Sequence, residues 1–222
     1  MNIHRKFMNN NKVLVLGANG MLGKMLSLYL NLNKELEVTV TSRKPTKFIE
    51  ENFSGKHLRY DALLNNFDNL FNKQDTYGCI VNCIGIIKPK IYENDANSVK
   101  NTMQVNSYLP VDLQRISVEK NIHYIQIGTD CVFSGDNGSY YEDSFMDAKD
   151  LYGKSKITGE IESKNKHIVR SSIIGPEEGK GFSLMNWFLK NEEKEVSGFQ
   201  NHMWNGVTTL NFSKIVEGMI KN

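Results

Sequence analysis

The run from Val13 to Gly23, Val-Leu-Val-Leu-Gly-Ala-Asn-Gly-Met-Leu-Gly, restricts the fold of this chain more than any other segment. The apolar residues Val13 to Leu16 predict a buried parallel strand. Gly17, Gly20 and Gly23 follow at a three-residue spacing. Met21, Leu22, Met25, Leu26, Leu28, Tyr29 and Leu30 then continue as a helix packed on a sheet. A strand, a glycine turn and a helix in that order leave bare backbone N–H groups at a helix N-terminus, where a pyrophosphate can be held. Gly17 suits the tight turn, Gly20 a close approach of backbone to phosphate, and Gly23 a close approach of helix to strand. Glycines in an ordinary turn would show the same spacing. The flanking strand and helix favour a dinucleotide site built on Gly17, Asn19, Gly20, Met21 and Gly23.

Further strands alternate with helical stretches. Val38–Thr41, Cys79–Ile84, His123–Ile127 and His167–Arg170 read as strands. Val99–Lys120 reads as one long helix with Val105, Leu109, Leu113 and Ile116 on one face, and Tyr152–Ser163 as another. Repeated β-α units predict an α/β fold, a doubly wound parallel sheet with helices on both faces. Ser134–Asp150 is polar and loop-like. Beyond Gly175 the pattern changes: Phe182, Leu184, Trp187, Phe188 and Leu189 suggest a separate apolar helix, and Asn211–Ile220 a last one. The expected organisation is a flexible tail at 1–11, a dinucleotide-binding domain at 12–175 and a short or truncated substrate-binding part at 176–222.

The 222 residues are 40% hydrophobic, enough for a sizeable core. With 27 basic and 25 acidic residues, the net charge of +2 gives no reason to expect nucleic acid or a membrane surface as partner. Cys79, Cys83 and Cys131 match neither a zinc spacing nor a CxxC pair, so no metal site is expected. A reducing compartment, the cytoplasm, is the expected location.

The end of the second strand bears on cofactor choice. An acidic residue there would bond the adenosine ribose of NAD. This chain has Ser42, Arg43 and Lys44 instead. A hydroxyl and a cation suit a 2′-phosphate, which favours NADPH and leaves NADH possible; a solvated basic turn would look the same. Asp61 follows another short apolar stretch and either faces the adenine or lies on the surface.

Tyr152 and Lys156 are four apart on a helix and share a face. An ammonium beside a phenol favours the phenolate, which tunes Tyr152 for proton transfer. Thr129 follows a strand at the edge where open α/β sheets bind ligands, and its hydroxyl can bond a carbonyl oxygen or simply a local turn. Asn106 stands mid-helix, an unfavourable place for Asn, so it either bends the helix, holds a water or is an ordinary polar position.

Gly17–Gly23, Gly128-Thr-Asp-Cys-Val-Phe-Ser-Gly135, Leu151-Tyr-Gly-Lys-Ser-Lys156 and Val169-Arg-Ser-Ser-Ile-Ile-Gly-Pro176 together resemble an extended short-chain dehydrogenase/reductase. The resemblance is nearest to the dTDP-4-dehydrorhamnose reductase branch, and it implies a Rossmann-type fold. It also implies a sugar-nucleotide substrate whose 4-keto group is reduced by a nicotinamide cofactor, as in deoxysugar and polysaccharide biosynthesis, and a possible homodimer. By the same resemblance Thr129, Tyr152 and Lys156 match the catalytic triad and Asn106 its supporting asparagine. Arg43 matches the adenosine-phosphate contact, and Asn82 and Gly85 the strand end beside the cofactor. Cys131 stands where related epimerase-reductases carry their epimerisation cysteine; their partner acid is a histidine, for which this chain has Glu177. A small strand-end residue would also explain Cys131. Regulatory subunits that bind NADP without turnover resemble the branch as well.

Overall fold

The computed structural model describes residues 10–64, 70–71, 76–178 and 183–221. Strands β1 (Lys12–Leu16), β2 (Glu37–Ser42), β3 (Lys56–Arg59), β4 (Cys79–Asn82), β5 (His123–Ile127) and β6 (Lys166–Val169) form one sheet in the order β3-β2-β1-β4-β5-β6. Every pairing in it is parallel. This is the doubly wound Rossmann-type order. Its winding reverses between β1 and β4, which opens a crevice at their carboxyl ends.

The continuous apolar run of β1 follows from burial on both faces. Val13 and Val15 face one layer with Val38, Val40, Val81 and Ile125, covered by Leu22, Leu26 and Leu30 of α1 (Met21–Asn31). Leu14 and Leu16 face the other with Ile80 and Tyr124, covered by Leu109, Leu113 and Ile116. Each fully buried Leu or Val contributes ~1.5–3 kcal/mol relative to exposure. The sequence reading does not anticipate β3 or the short α2 (Lys47–Asn52). β3 is a polar edge strand, Lys-His-Leu-Arg, with none of the alternation that marks a half-buried strand. Thr46 caps α2 by accepting from the Ile49 N–H at 3.4 Å.

The helix expected over Val99–Lys120 is present but not uniform. It runs as α3 (Ala96–Met103), a π-helical turn at Gln104–Tyr108, and α4 (Leu109–Glu119). Pro110 cannot donate to the Asn106 carbonyl, which loosens the helix at that point. α5 (Leu151–Thr158) ends five residues before the expected Ser163, capped by Gly159. β4 ends at Asn82, where the chain turns to pass the crevice.

α7 (Thr209–Lys221) lies within the segment expected to bind substrate, yet it packs on α1. Phe212, Val216 and Ile220 enter the same buried layer as β1. β7 (Ile173–Ile174) and β8 (Val207–Thr208) form a separate parallel pair. The expected apolar helix is α6 (Leu184–Lys190); Phe182 lies outside the described residues, and Leu184 and Phe188 are exposed. Residues 1–9 of the expected tail are also outside the described residues. Asn10 and Asn11, by contrast, are tied down through their amides to Thr76 O and Glu35 O.

A histidine pair at the start of β5 gives the fold a pH dependence. His123 is 7% exposed, and its Nε2 lies 3.0 Å from Nδ1 of His167 on β6. Burial, then the charge of His167, pushes His123 down from 6.5 to about 4. The unfolded chain therefore binds more protons than the folded one between these values. The stability His123 gives by being neutral is complete above 6.5 and is lost as pH falls toward 4, on the order of 3 kcal/mol in all. Urea titrations at pH 7 and pH 4.5 should show a smaller acid loss in His123→Phe than in the parent. An equal loss in both would contradict this.

Candidate active site

The glycine turn adopts the geometry its sequence calls for. Gly17 has φ +86°, a conformation that favours glycine. Its N–H and that of Ala18 donate to Thr41 O at 3.1 and 2.9 Å, which fixes the turn to the end of β2. A Cβ on Gly23 would lie 2.2 Å from Gly17 O, so α1 can approach the turn only with glycine there. Gly20 caps α1. Among the described residues no side chain bonds the first-turn N–H groups, and no acidic residue stands in that turn. The positive end of the helix is thus left for an anion.

A cavity of about 370 Å³ lies at this crevice. Gly17, Asn19 and Gly20 line one wall, Ser42, Arg43 and Asp61 another, and Cys83 to Ile86 the floor. Of the predicted cofactor residues, Met21, Gly23, Asn82, Tyr152 and Lys156 do not line it. Met21 begins α1, Gly23 packs behind the turn, and Asn82 is fully buried. The Asn82 amide donates to Gln126 Oε1 at 2.9 Å, and its Oδ1 accepts from Ile84 N at 3.0 Å. Asn82 thus shapes the strand end from behind. Asn19 donates to Lys44 O at 2.6 Å, which ties the glycine turn to the basic segment. The Ser42 hydroxyl is 2.8 Å from His57 Nε2. Arg43 is exposed at the rim. Asp61 Oδ1 accepts from Leu63 N at 3.0 Å and turns the chain after β3. Tyr60, Lys90 and Val105 also line the cavity, unanticipated from sequence because each belongs to an element whose place in the sheet decides its exposure.

Asn106 and Lys156 lie next to Gly85 at the cavity floor, and neither they nor Thr129 and Tyr152 line the cavity. Asp150 caps α5 by accepting from Gly153 N at 2.8 Å. A Cβ on Gly153 would lie 2.5 Å from Cys131 O, so this glycine lets α5 close on the turn that carries Thr129. The Thr129 hydroxyl donates to Asp130 Oδ1 at 3.4 Å and accepts from Cys131 N at 3.2 Å, and it lies close enough to the Tyr152 phenol to favour the phenolate. Of the two sequence alternatives for Thr129, the local turn bond is present: its hydroxyl caps the turn at Asp130–Val132.

Asn106 is 1% exposed. Its Oδ1 accepts from Ile86 N at 2.8 Å and its amide donates to Ile86 O at 2.9 Å and Ser155 Oγ at 3.1 Å. It fastens the cavity floor to the π-helical turn and to α5, rather than binding a water through the amide. A Cβ on Gly85 would touch both Asn106 Oδ1, at 3.6 Å, and Lys156 Nζ, at 4.0 Å.

Two electrostatic expectations change. Burial raises the Tyr152 phenol above its ordinary range, with the Thr129 bond pulling the other way. The Lys156 ammonium, 7% exposed, donates to Ile127 O at 2.9 Å and is itself lowered by burial. Lys156 thus braces the end of β5, and the phenol stays protonated. Cys131 is not a strand-end residue: Asp130–Val132 is a 3₁₀ turn begun by Thr129. The Cys131 thiol is exposed, and burial of its surroundings raises it, the reverse of activation by a cation. Glu177, the expected partner acid, accepts instead from Ser183 N at 3.0 Å at the start of α6.

The model of the RmlD substrate binding domain matches residues 11–203. The chain belongs to this family. Against curated proteins, this RmlD-family chain is 28% identical over 156 residues to methionine adenosyltransferase 2 subunit beta of Bos taurus, covering 68% of this chain and 42% of that protein. It thus spans less than half the length of the curated relatives it matches. Among solved structures it resembles a dTDP-4-dehydrorhamnose reductase from Bacillus anthracis in complex with NADP. The TM-score is 0.71 and the identity 19%, over 96% of this chain and 71% of that one. It also resembles an ADP-L-glycero-D-manno-heptose-6-epimerase from Helicobacter pylori, with TM-score 0.79 and 16% identity over 100% and 76% of the two chains. At these identities the likeness is one of fold. Among the described residues no helix is long and apolar enough to cross a membrane.

Proposed function

We propose that this protein is an NADPH-dependent reductase of the 4-keto group of a 4-keto-6-deoxy sugar nucleotide. The observation that carries the reading is an open, positively polarised helix end on a cavity rimmed by Arg43, with Lys156 Nζ 4.0 Å from where a Cβ on Gly85 would be and the Thr129 hydroxyl close to the Tyr152 phenol. The residues present fit the cofactor. Gly17 and Gly85 leave room that a side chain would fill, and the first turn of α1 offers uncapped donors. The turn from Gly17 to Gly20 would hold the pyrophosphate, Ser42 and Arg43 the 2′-phosphate, and Lys156 the nicotinamide ribose. Bound NADPH supplies a hydride to the carbonyl carbon. Tyr152, held protonated by burial, gives its phenolic proton to the carbonyl oxygen, and Thr129 orients that phenol and bonds the same oxygen. Asn106 keeps the cavity floor and α5 in register while this happens.

Arg43 tests the cofactor part. The parent should bind NADPH more tightly than NADH, and Arg43→Ala should narrow the gap by the ~1.5–3 kcal/mol typical of hydrogen bonds to a charged group. Fluorescence titration of both cofactors measures it. Equal affinities in the parent would rule out a 2′-phosphate site. A second reading, a nucleotide-binding subunit without turnover, has the match to methionine adenosyltransferase 2 subunit beta in its favour. It predicts cofactor binding with no reduction of any keto sugar.

A further inference from the structure

Ser42 ends β2 at the wall of the cavity, where it is 6% exposed. β3 lies beside β2, with His57 opposite Val40 in the parallel register. Val40 and Ser42 are two apart on their strand and share a face of the sheet, and the residue opposite Val40 shares that face with them. The half-buried imidazole thereby reaches the serine diagonally, with Nε2 2.8 Å from Oγ. His57 itself does not line the cavity.

This contact has two arrangements, and they differ in what Ser42 presents to the cavity. A hydroxyl has one hydrogen and two lone pairs, and a neutral imidazole has one nitrogen that donates and one that accepts. With the ring hydrogen on Nδ1, Nε2 accepts the only hydrogen of Ser42 and leaves the cavity a lone pair. That suits a ligand hydroxyl, which brings its own hydrogen, and opposes an ionised phosphate oxygen, which has none. With a hydrogen on Nε2 the ring donates to Oγ, and Ser42 turns its own hydrogen to the cavity, where an anionic oxygen accepts it. The imidazolium carries hydrogens on both nitrogens. It allows only the second arrangement and adds a positive charge behind it.

We propose that His57 is a positioning residue that sets, through the Ser42 hydroxyl, how strongly this site prefers a 2′-phosphate to a 2′-hydroxyl, and so NADPH to NADH. The inference deepens the reductase reading and rests on its placement of the 2′-phosphate at Ser42 and Arg43. Burial holds the imidazole below its ordinary 6.5, with Glu50 on α2 pulling the other way. The other charged side chains on α2, on β3 and just past β2 are all exposed: Lys47 and Glu51, which pair at 3.6 Å, Lys56 and Arg59, and Arg43 and Lys44. His57 is therefore neutral at pH 7, and the imidazolium enters as pH falls. A bound 2′-phosphate favours the imidazolium, so by linkage it raises the His57 midpoint, and preference for the phosphate grows in acid by the matching factor.

The test follows the imidazole by NMR in protein labelled with ¹⁵N at histidine, with the His57 signals assigned by His57→Gln or, if that variant does not fold, His57→Asn. The probes are the oxidised cofactors NADP⁺ and NAD⁺, which survive mild acid. Saturating NADP⁺ should raise the His57 midpoint by about 0.7 pH unit, a relative affinity change of about five-fold, the step from a neutral to a charged hydrogen-bond partner. NAD⁺ should leave the midpoint where it is. In calorimetric titrations from pH 8 to pH 5, the NADP⁺-to-NAD⁺ affinity ratio should gain about five-fold more in the parent than in His57→Gln, whose amide takes up no proton. The phosphate's own titration, at about pH 6, is common to both proteins. Ser42→Ala should lose most of the midpoint rise, and a full rise there would overturn the route through the serine. A midpoint that NADP⁺ does not move, in a protein that binds NADP⁺ more tightly than NAD⁺, would overturn the role of His57 alone. Equal affinities for the two cofactors across the whole range would overturn it together with the 2′-phosphate site.

Discussion

Tyr152→Phe should bind NADPH as the parent does and lose ~10²–10⁴-fold in turnover of a keto sugar nucleotide, the usual contribution of a positioned proton donor. The change removes a single oxygen. The ring keeps its packing on α5, and the Thr129 hydroxyl still accepts from Cys131 N, so no buried group there is stranded. Burial raises the phenol, so on the proposed reading Tyr152 enters the reaction protonated, as a proton donor must. Single-turnover kinetics with pre-bound NADPH separate the proton-transfer step from binding. A Phe variant with parental turnover would show that the Tyr152 hydroxyl takes no part in the reaction.

Gly23→Val should be the most damaging single change in the cofactor half. The Cβ alone would stand 2.2 Å from Gly17 O and 2.8 Å from Gly17 C, both backbone atoms of a turn fixed by two hydrogen bonds to Thr41 O. Neither can move away as a flexible side chain could. Valine adds two further methyls to this contact. The loss should reach or exceed the upper end of the ~1–3 kcal/mol seen for overpacked cores, outweighing the ~1 kcal/mol by which glycine is a poor helix former. Nucleotide affinity should fall with it, since α1 must tilt away from the turn. Denaturant unfolding and NADPH titration of the variant measure the two losses. Parental stability with parental affinity would mean that α1 does not pack on Gly17.

The parts of the fold legible in the sequence are those where burial on both faces leaves an unbroken apolar run. Val13–Leu16 and Cys79–Val81 are of this kind, and with His123–Ile127 they make the centre of the sheet. Lys56–Arg59 was not legible, because an edge strand needs no apolar pattern and its place depends on pairing with β2. Phe212, Val216 and Ile220 announce a helix by their spacing of four, but not that it packs on α1 far earlier in the chain. The candidate site divides in the same way. The glycine turn and the Tyr152–Lys156 pair are local and could be read directly. The direction of the Lys156 ammonium, toward Ile127 O, depends on how α5 meets β5. The strand-end placement of Cys131 fails for a local reason: the strand ends at Ile127, and Thr129 starts a turn that leaves Cys131 exposed.

On the proposed reading, Thr129, Tyr152 and Lys156 together reduce a ketone on a sugar nucleotide. The most direct measurement mixes the purified protein and NADPH with 4-keto-6-deoxy sugar nucleotides carrying thymidine, uridine or guanosine, and follows loss of nicotinamide absorbance alongside the sugar product. Oxidation of NADPH in step with formation of the 4-hydroxy sugar from at least one of them is the predicted result. Saturable binding of NADPH with no reduction of any member of the panel would contradict it.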